Sequence, residues 1–255
     1  MRSNRHPESD RRVPGGWQRR RLGRAVLALV AGLAVYALAA YLIIPALWHS
    51  EIIRHPALQG APRLTHTAAG IPGDPLNIAL VATERELVTA MLKAAWHPAD
   101  PITLDASLRM AGSVVFRRPY GDAPVSTLYL WGRPEDLAFE QAVGDDPARR
   151  HHVRFWRSVE AAGAGRPLWL GAATYDAGVG FSHTTGQLTH HIAPDVDAER
   201  DKIIADLRRA DQLSQVLWIE QFHQVLRGYN GGGDPYDTDG RLAVGVIVSA
   251  SEPTP

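Results

Sequence analysis

Apolar and polar positions along the 255 residues fall into three regimes. From Ala25 to Trp48 a run of 24 residues carries no charge and is almost wholly apolar. A helix of about 20 such residues already crosses the hydrocarbon core of a bilayer, so this run predicts one transmembrane helix over 25–48. Residues 1–24 show no apolar period and are rich in Arg, Pro and Gly, the pattern of an unfolded basic tail. Residues 49–73, broken by Pro56, Gly60, Pro62, Gly70, Pro72 and Gly73, predict a linker. From 74 to 249 helical and strand periods alternate, which predicts one folded domain, with 250–255 as a short tail.

Within the domain, Asn77 to Ala82 is an apolar run of strand length. Thr83 and Glu86 follow with the spacing of a capping box, and Leu87, Val88, Met91, Leu92 and Ala95 then form one helical stripe. A second stripe, Leu104, Leu108, Ala111 and Val115, predicts a helix over 102–115. Val125 to Trp131, the turn cluster Gly132 to Asp136 and a strand after it predict a hairpin. Alternation predicts half-buried strands at His152 to Arg157 and Leu168 to Thr174. An acidic start at Asp195 or Asp197, followed by Ile203, Ile204 and Leu207, predicts a helix ending near Leu213. Val216 to Leu226 and Arg241 to Val248 read as two more strands around a loop at Gly231 to Pro235. The fold class expected is α+β: a mixed, mainly antiparallel sheet with helices packed on one face.

Charge gives the anchor a direction. Arg19, Arg20, Arg21 and Arg24 precede the apolar run, whereas Glu51, Arg54 and His55 after it nearly cancel, so the N-terminus is expected in the cytoplasm and the domain outside it. A cleavable signal peptide is the rival reading. Ala37-Leu38-Ala39 offers a small-x-small site, but the run is longer than the roughly 7 to 15 residues of a signal core. Beyond residue 24 the chain holds 19 basic and 25 acidic residues, a balance that argues against nucleic acid as a partner. With no cysteine, disulfides, thiolate metal sites and cysteine nucleophiles are excluded.

Histidine is the residue type that suggests chemistry. His151, His152, His183, His190 and His191 fall within 41 residues, and Asp176, Asp195, Asp197 and Glu199 accompany them. His183, His190, His191 and Asp195 are candidate ligands of a divalent metal, with satisfied structural histidines as the competing reading. Adjacent side chains on a strand point to opposite faces, so His190 and His191 are not expected to share an ion. Asp176, Arg154 and Arg200 are candidate catalytic or anion-binding residues, although pairing of the arginines with nearby acids is the commoner outcome. Asp195-x-Asp197-x-Glu199 resembles a calcium loop, but Arg200 stands where that loop needs glycine, and an acidic helix N-terminus explains the pattern better. No Gly-x-Ser-x-Gly elbow or Gly-Lys-Ser/Thr phosphate loop occurs. Trp156, Trp169 and Trp218 are expected in the core or along an apolar groove.

Four runs carry a family resemblance: Gly73 to Val81, His151 to Trp156, Leu168 to Thr174 and Thr189 to Asp195. Together they resemble the LssY C-terminal domain family over roughly residues 64–249. The resemblance implies a domain attached to membrane segments, in some members similar to one appended to a type 2 phosphatidic acid phosphatase. The signature blocks of that phosphatase are not in this sequence, so no site residue is carried over. These readings together describe a single-pass protein of the bacterial inner membrane with an extracytoplasmic domain. A binding or assembly module of the envelope is expected, taking an envelope protein or a lipid as partner. The alternative is a metal-assisted hydrolase of an envelope phosphoester or lipid-linked substrate, with metal on His183, His190 and Asp195 and the anion on Arg154.

Overall fold

The computed structural model describes residues 16–44, 46–47, 56–99, 127–144, 149–161, 165–184, 186 and 188–249. The chain divides into two units, Met1–Ser50 and Glu51–Pro255. In the first, helix α1 (Gly16–Leu38) continues into a π-helical turn at Ala39–Ile43, closed by the Ile44 N–H donating to the Ala39 carbonyl. Its 20-residue stretch Arg24–Ile43 has a mean hydropathy of 2.4, and none of it is buried. One apolar helix near the N-terminus is thus long enough to span a membrane once. Pro45 and Trp48 lie outside the described residues.

The second unit is α+β, as the periods predict. An eight-stranded sheet carries β11 (Leu213–Ile219), β14 (Leu242–Ile247), β3 (Ile78–Val81), β9 (Pro167–Phe181), β8 (Arg150–Ala161), β7 (Leu137–Ala142) and β4 (His97–Pro98) in that order, with β10 (Leu188–Ile192) paired to β9. Among the described residues of this sheet, only β14 and β3 run parallel. Arg150 and Ile192 both pair with Asp176. They approach it from opposite sides, so β10 lies on the edge of β9 that β3 occupies further along. A smaller sheet joins β2 (Pro72–Pro75), β1 (Leu64–His66), β5 (Tyr129–Leu130) and β6 (Arg133–Pro134), and β12 (Arg227–Tyr229) pairs with β13 (Pro235–Asp237).

One face of the large sheet is covered by two helices. Helix α3 (Glu84–Lys93) opens with the expected capping box: Glu86 N donates to Thr83 Oγ1 at 3.3 Å and Thr83 N donates to Glu86 Oε2 at 2.8 Å. Its Leu87, Val88 and Met91 pack with Ile203, Ile204 and Leu207 of α4 (Val196–Arg209) against Ile78, Leu80, Phe139, Val153, Phe155 and Trp169 of the strands. Each such apolar side chain contributes about 1.5 to 3 kcal/mol by leaving water. Asn77 fixes the layers together, because its Nδ2 donates to the carbonyls of Ala173 and Val196 while its Oδ1 accepts from Ala173 N.

Several boundaries differ from those the sequence suggests. Strands β8 and β9 are buried on both faces, not half-buried: Trp156, Leu168, Leu170 and Ala172 are sealed on the side away from the helices. The short helix α2 (Pro56–Gln59) lies against β8 and β2 lies against β9 on that side. The described part of the expected linker is therefore folded, with Leu58, Ala61 and Thr65 buried. The expected hairpin turn moves to Trp131 and Gly132, whose φ values of 52° and 74° fit the paired left-handed conformation of a tight two-residue turn. Helix α4 stops at Arg209, ahead of the left-handed Asp211, and β11 ends at Ile219, before the left-handed Gln221 turns the chain. The helix expected over 102–115 lies outside the described residues.

Candidate functional site

Strand β10 separates two polar clusters. Its register against β9 slips between His191, opposite Gly178, and Ile192, opposite Asp176, so Ala177 is the extra residue of a bulge. His190 and His191 consequently serve different neighbours.

On the His190 side, Arg150 gathers the strand ends. Its Nε donates to Asp176 Oδ2 at 3.0 Å, its Nη1 to Glu140 Oε2 at 3.1 Å, and its Nη2 lies 3.4 Å from His190 Nε2. A guanidinium only donates, so His190 Nε2 accepts there. Burial, partly opposed by Asp176, lowers the His190 pKa. Next along β8, Arg154 is paired with Asp74 Oδ2 at 3.4 Å and Glu135 Oε1 at 3.7 Å. Burial raises the Asp74 carboxyl above its usual range while Arg154 pulls it down. Between the arginines sits His152, fully buried, with neither ring nitrogen hydrogen-bonded among the described residues. Burial first, then the charges of Arg154 and Arg150, hold its pKa far below the ordinary histidine value. Thr174 Oγ1, directly across the ladder, and Trp156 Nε1 are likewise without partners among the described residues.

On the His191 side, three hairpin turns meet. His183 N donates to Gly232 O at 2.8 Å and Thr184 Oγ1 donates to Gly231 O, joining the β9–β10 turn to the β12–β13 turn. A Cβ on Gly231 would meet Thr67 and Pro72, so the β1–β2 turn closes the third side. Asn230 shapes the loop between β12 and β13: its Oδ1 accepts from Gly232 N and Asp234 N, and its Nδ2 donates to Asp74. That loop delivers Asp234, whose Oδ1 lies 2.6 Å from His191 Nδ1 and whose Oδ2 accepts from Ile192 N at 3.2 Å. His183 stacks obliquely on His191, ring centroids 5.3 Å apart. His183, His191 and Asp234 each offer a ligand atom, all within 4.8 Å of one another. Exposed Phe181 and Tyr229 flank the same turns.

The candidates nominated from sequence thus separate. His183 and His191 come together, whereas His190 faces Arg150 and Asp176. Asp195 is not a member of the group: it caps α4, accepting from Ala198 N at 3.0 Å. There it borders an open cavity of about 340 Å³ with Asp197, Asp237, Asp239 and Arg227. Burial raises the Asp197 carboxyl, against the pull of the Asp239 N–H and Arg200. Arg154 and Arg200 do not form an anion-binding pair. Arg200, 1% exposed, is held by Asp197, Asp201, Asp239 and the Arg241 carbonyl, and Arg154 is held by Asp74 and Glu135. The hydrolase arrangement of His183, His190, Asp195 and Arg154 is therefore not assembled. Asp176 is an ion-pair partner of Arg150, and Glu199 accepts from His151 Nδ1 at 2.8 Å with its carboxyl raised by burial. Trp156 and Trp169 are core residues, the latter donating to Ala82 O, and Trp218 lies under the guanidinium groups of Arg200 and Arg241.

Asp234 is the residue that sequence reasoning missed. It lies 43 positions from His191 and belongs to no spaced motif. The available signal was a carboxylate closing the run Asn230-Gly-Gly-Gly-Asp234, a loop that brings its last side chain to a fixed place.

A mainly antiparallel sheet with helices on one face defines an α+β domain as its class, in a chain that also carries one N-terminal apolar helix long enough to span a membrane. The chain matches the family model described as LssY C-terminus over residues 58–242, and it belongs to that family. No curated protein and no solved structure matches it.

Proposed function

We propose that the protein is a single-pass protein of the bacterial inner membrane that holds its LssY C-terminal domain outside the cytoplasm as a binding module of the cell envelope. The anchor reading rests on the apolar Arg24–Ile43 helix, and the orientation on the arginines that precede it in sequence. The binding reading is carried by one observation: three hairpin turns converge at one end of the domain, with Phe181 72% and Tyr229 71% exposed beside them. Loops on a rigid sheet are where binding residues concentrate, and exposed aromatics supply contact area at small entropic cost. The charged groups deeper in the fold support the same reading, since Arg150, Arg154 and Arg200 are already matched by carboxylates.

Two measurements test it. A C-terminal reporter that is active only outside the cytoplasm should be active on the full chain; activity confined to a cytoplasmic reporter overturns the orientation. Photo-crosslinking residues introduced at Phe181 and Tyr229 should each give a discrete adduct in cells, and one placed at the exposed Arg208 of α4 should not. Equal labelling from all three positions, or none from the loop end, removes the binding surface.

A further inference from the structure

We infer that His183, His191 and Asp234 bind one divalent transition-metal ion of the zinc class. The inference stands apart from the docking reading, because it needs neither a partner nor the anchor.

Two imidazoles and a carboxylate are a zinc donor set that leaves a further position for water or a ligand. Ligands at about 2.0 to 2.2 Å from one ion stand about 3 to 4 Å from each other, so the 4.8 Å span needs closure by only about 1 Å. His183 is exposed at a turn and has room to supply that movement. The other two donors are already fixed, Asp234 by Ile192 N and by its loop, His191 by Asp234.

The surroundings are shaped for the two rings. A Cβ on Gly180 would lie 2.5 Å from His191 Nε2, so a larger residue there would displace that imidazole from its present position. A Cβ on Gly233, whose φ is +86°, would lie 2.7 Å from His183 Cβ. Asp234 is 4% exposed, which places a nearly desolvated carboxylate beside two imidazoles at the junction of separate hairpins. A bound ion would tie the β9–β10 hairpin to the β12–β13 turn through side chains, beside the backbone bond that His183 already makes.

The test uses the full chain in detergent, stripped with a chelator and titrated calorimetrically with Zn²⁺. One equivalent is expected to bind. His183→Ala and Asp234→Asn are each expected to weaken binding by at least about 100-fold, since even outer partners of a metal site are worth about 10- to 100-fold. His190→Ala, one residue from His191 but facing Arg150, is expected to bind as the wild type does. Zn²⁺ should also raise the melting temperature of the wild type and of His190→Ala, and leave Asp234→Asn unmoved. Because His183 is exposed, its alanine variant keeps the fold, and a far-ultraviolet spectrum checks this. Absence of binding at micromolar Zn²⁺, unchanged affinity in both ligand variants, or equal loss in His190→Ala would overturn the site.

Discussion

His152 lies between Arg150 and Arg154, and burial first, then the two guanidinium charges, disfavour its protonation, with no hydrogen-bond partner for the ring among the described residues. Glu140 and Asp176 on the flanking strands are occupied by Arg150. In the unfolded chain this ring titrates near its ordinary value of about 6.5. The stability it supports is thus complete above that pH and declines as the pH falls, since the unfolded chain then takes up a proton that the folded chain refuses. His190 and His223, also lowered by burial, act in the same direction. The raised carboxyls of Asp74 and Glu199 act oppositely, contributing below their unfolded values and losing that contribution as pH rises. Thermal melts at pH 7.5 and 5.5 should show a fall for the wild type and a shallower one for His152→Leu, which also removes two unpartnered nitrogens. Asn77 makes a different claim. Asn77→Leu strands Ala173 N and two carbonyls, and should lower stability by about 3 kcal/mol in denaturant titrations with little change in slope.

Helix α4 holds its charge chemistry on a buried arginine. Arg200→Met should cost about 2 to 3 kcal/mol, below the range for a fully sealed ion pair because Asp201 and Asp239 keep access to water. Arg200→Lys should recover only part of this, since a single ammonium cannot span Asp197 and both oxygens of Asp239; denaturation midpoints of the two variants decide it. This arginine was legible in sequence as a partner for acids, and α3 was legible down to its Thr83 cap, because both depend on residues a few positions apart. Strand β10 and the β12–β13 pair were not. They are short and mostly polar, and become strands only because long β9 and the cap of α4 offer them an edge. The same reason divides the candidate site: alternation on a strand could separate His190 from His191, whereas nothing local could pair His191 with Asp234.

The two units make separate demands on the chain. Arg24–Ile43 leaves side chains such as Leu27 and Val35 about two-thirds exposed, an apolar surface that water does not tolerate at this length. Full-length protein should therefore stay in the membrane pellet after an alkaline wash, and a chain beginning at Glu51 should move to the soluble fraction; recovery of both in the supernatant would argue against a retained anchor. The second unit sets an order on its own assembly. Strand β3, near the start of the domain, is central to the large sheet, yet one of its two neighbours is β14, the last strand of the sheet. Until Leu242–Ile247 is available, Ile78–Val81 has one open side and the floor under both helices is incomplete. Nascent polypeptide must accordingly wait as a pliable intermediate until Leu242–Ile247 arrives, which makes that strand the latch of biogenesis.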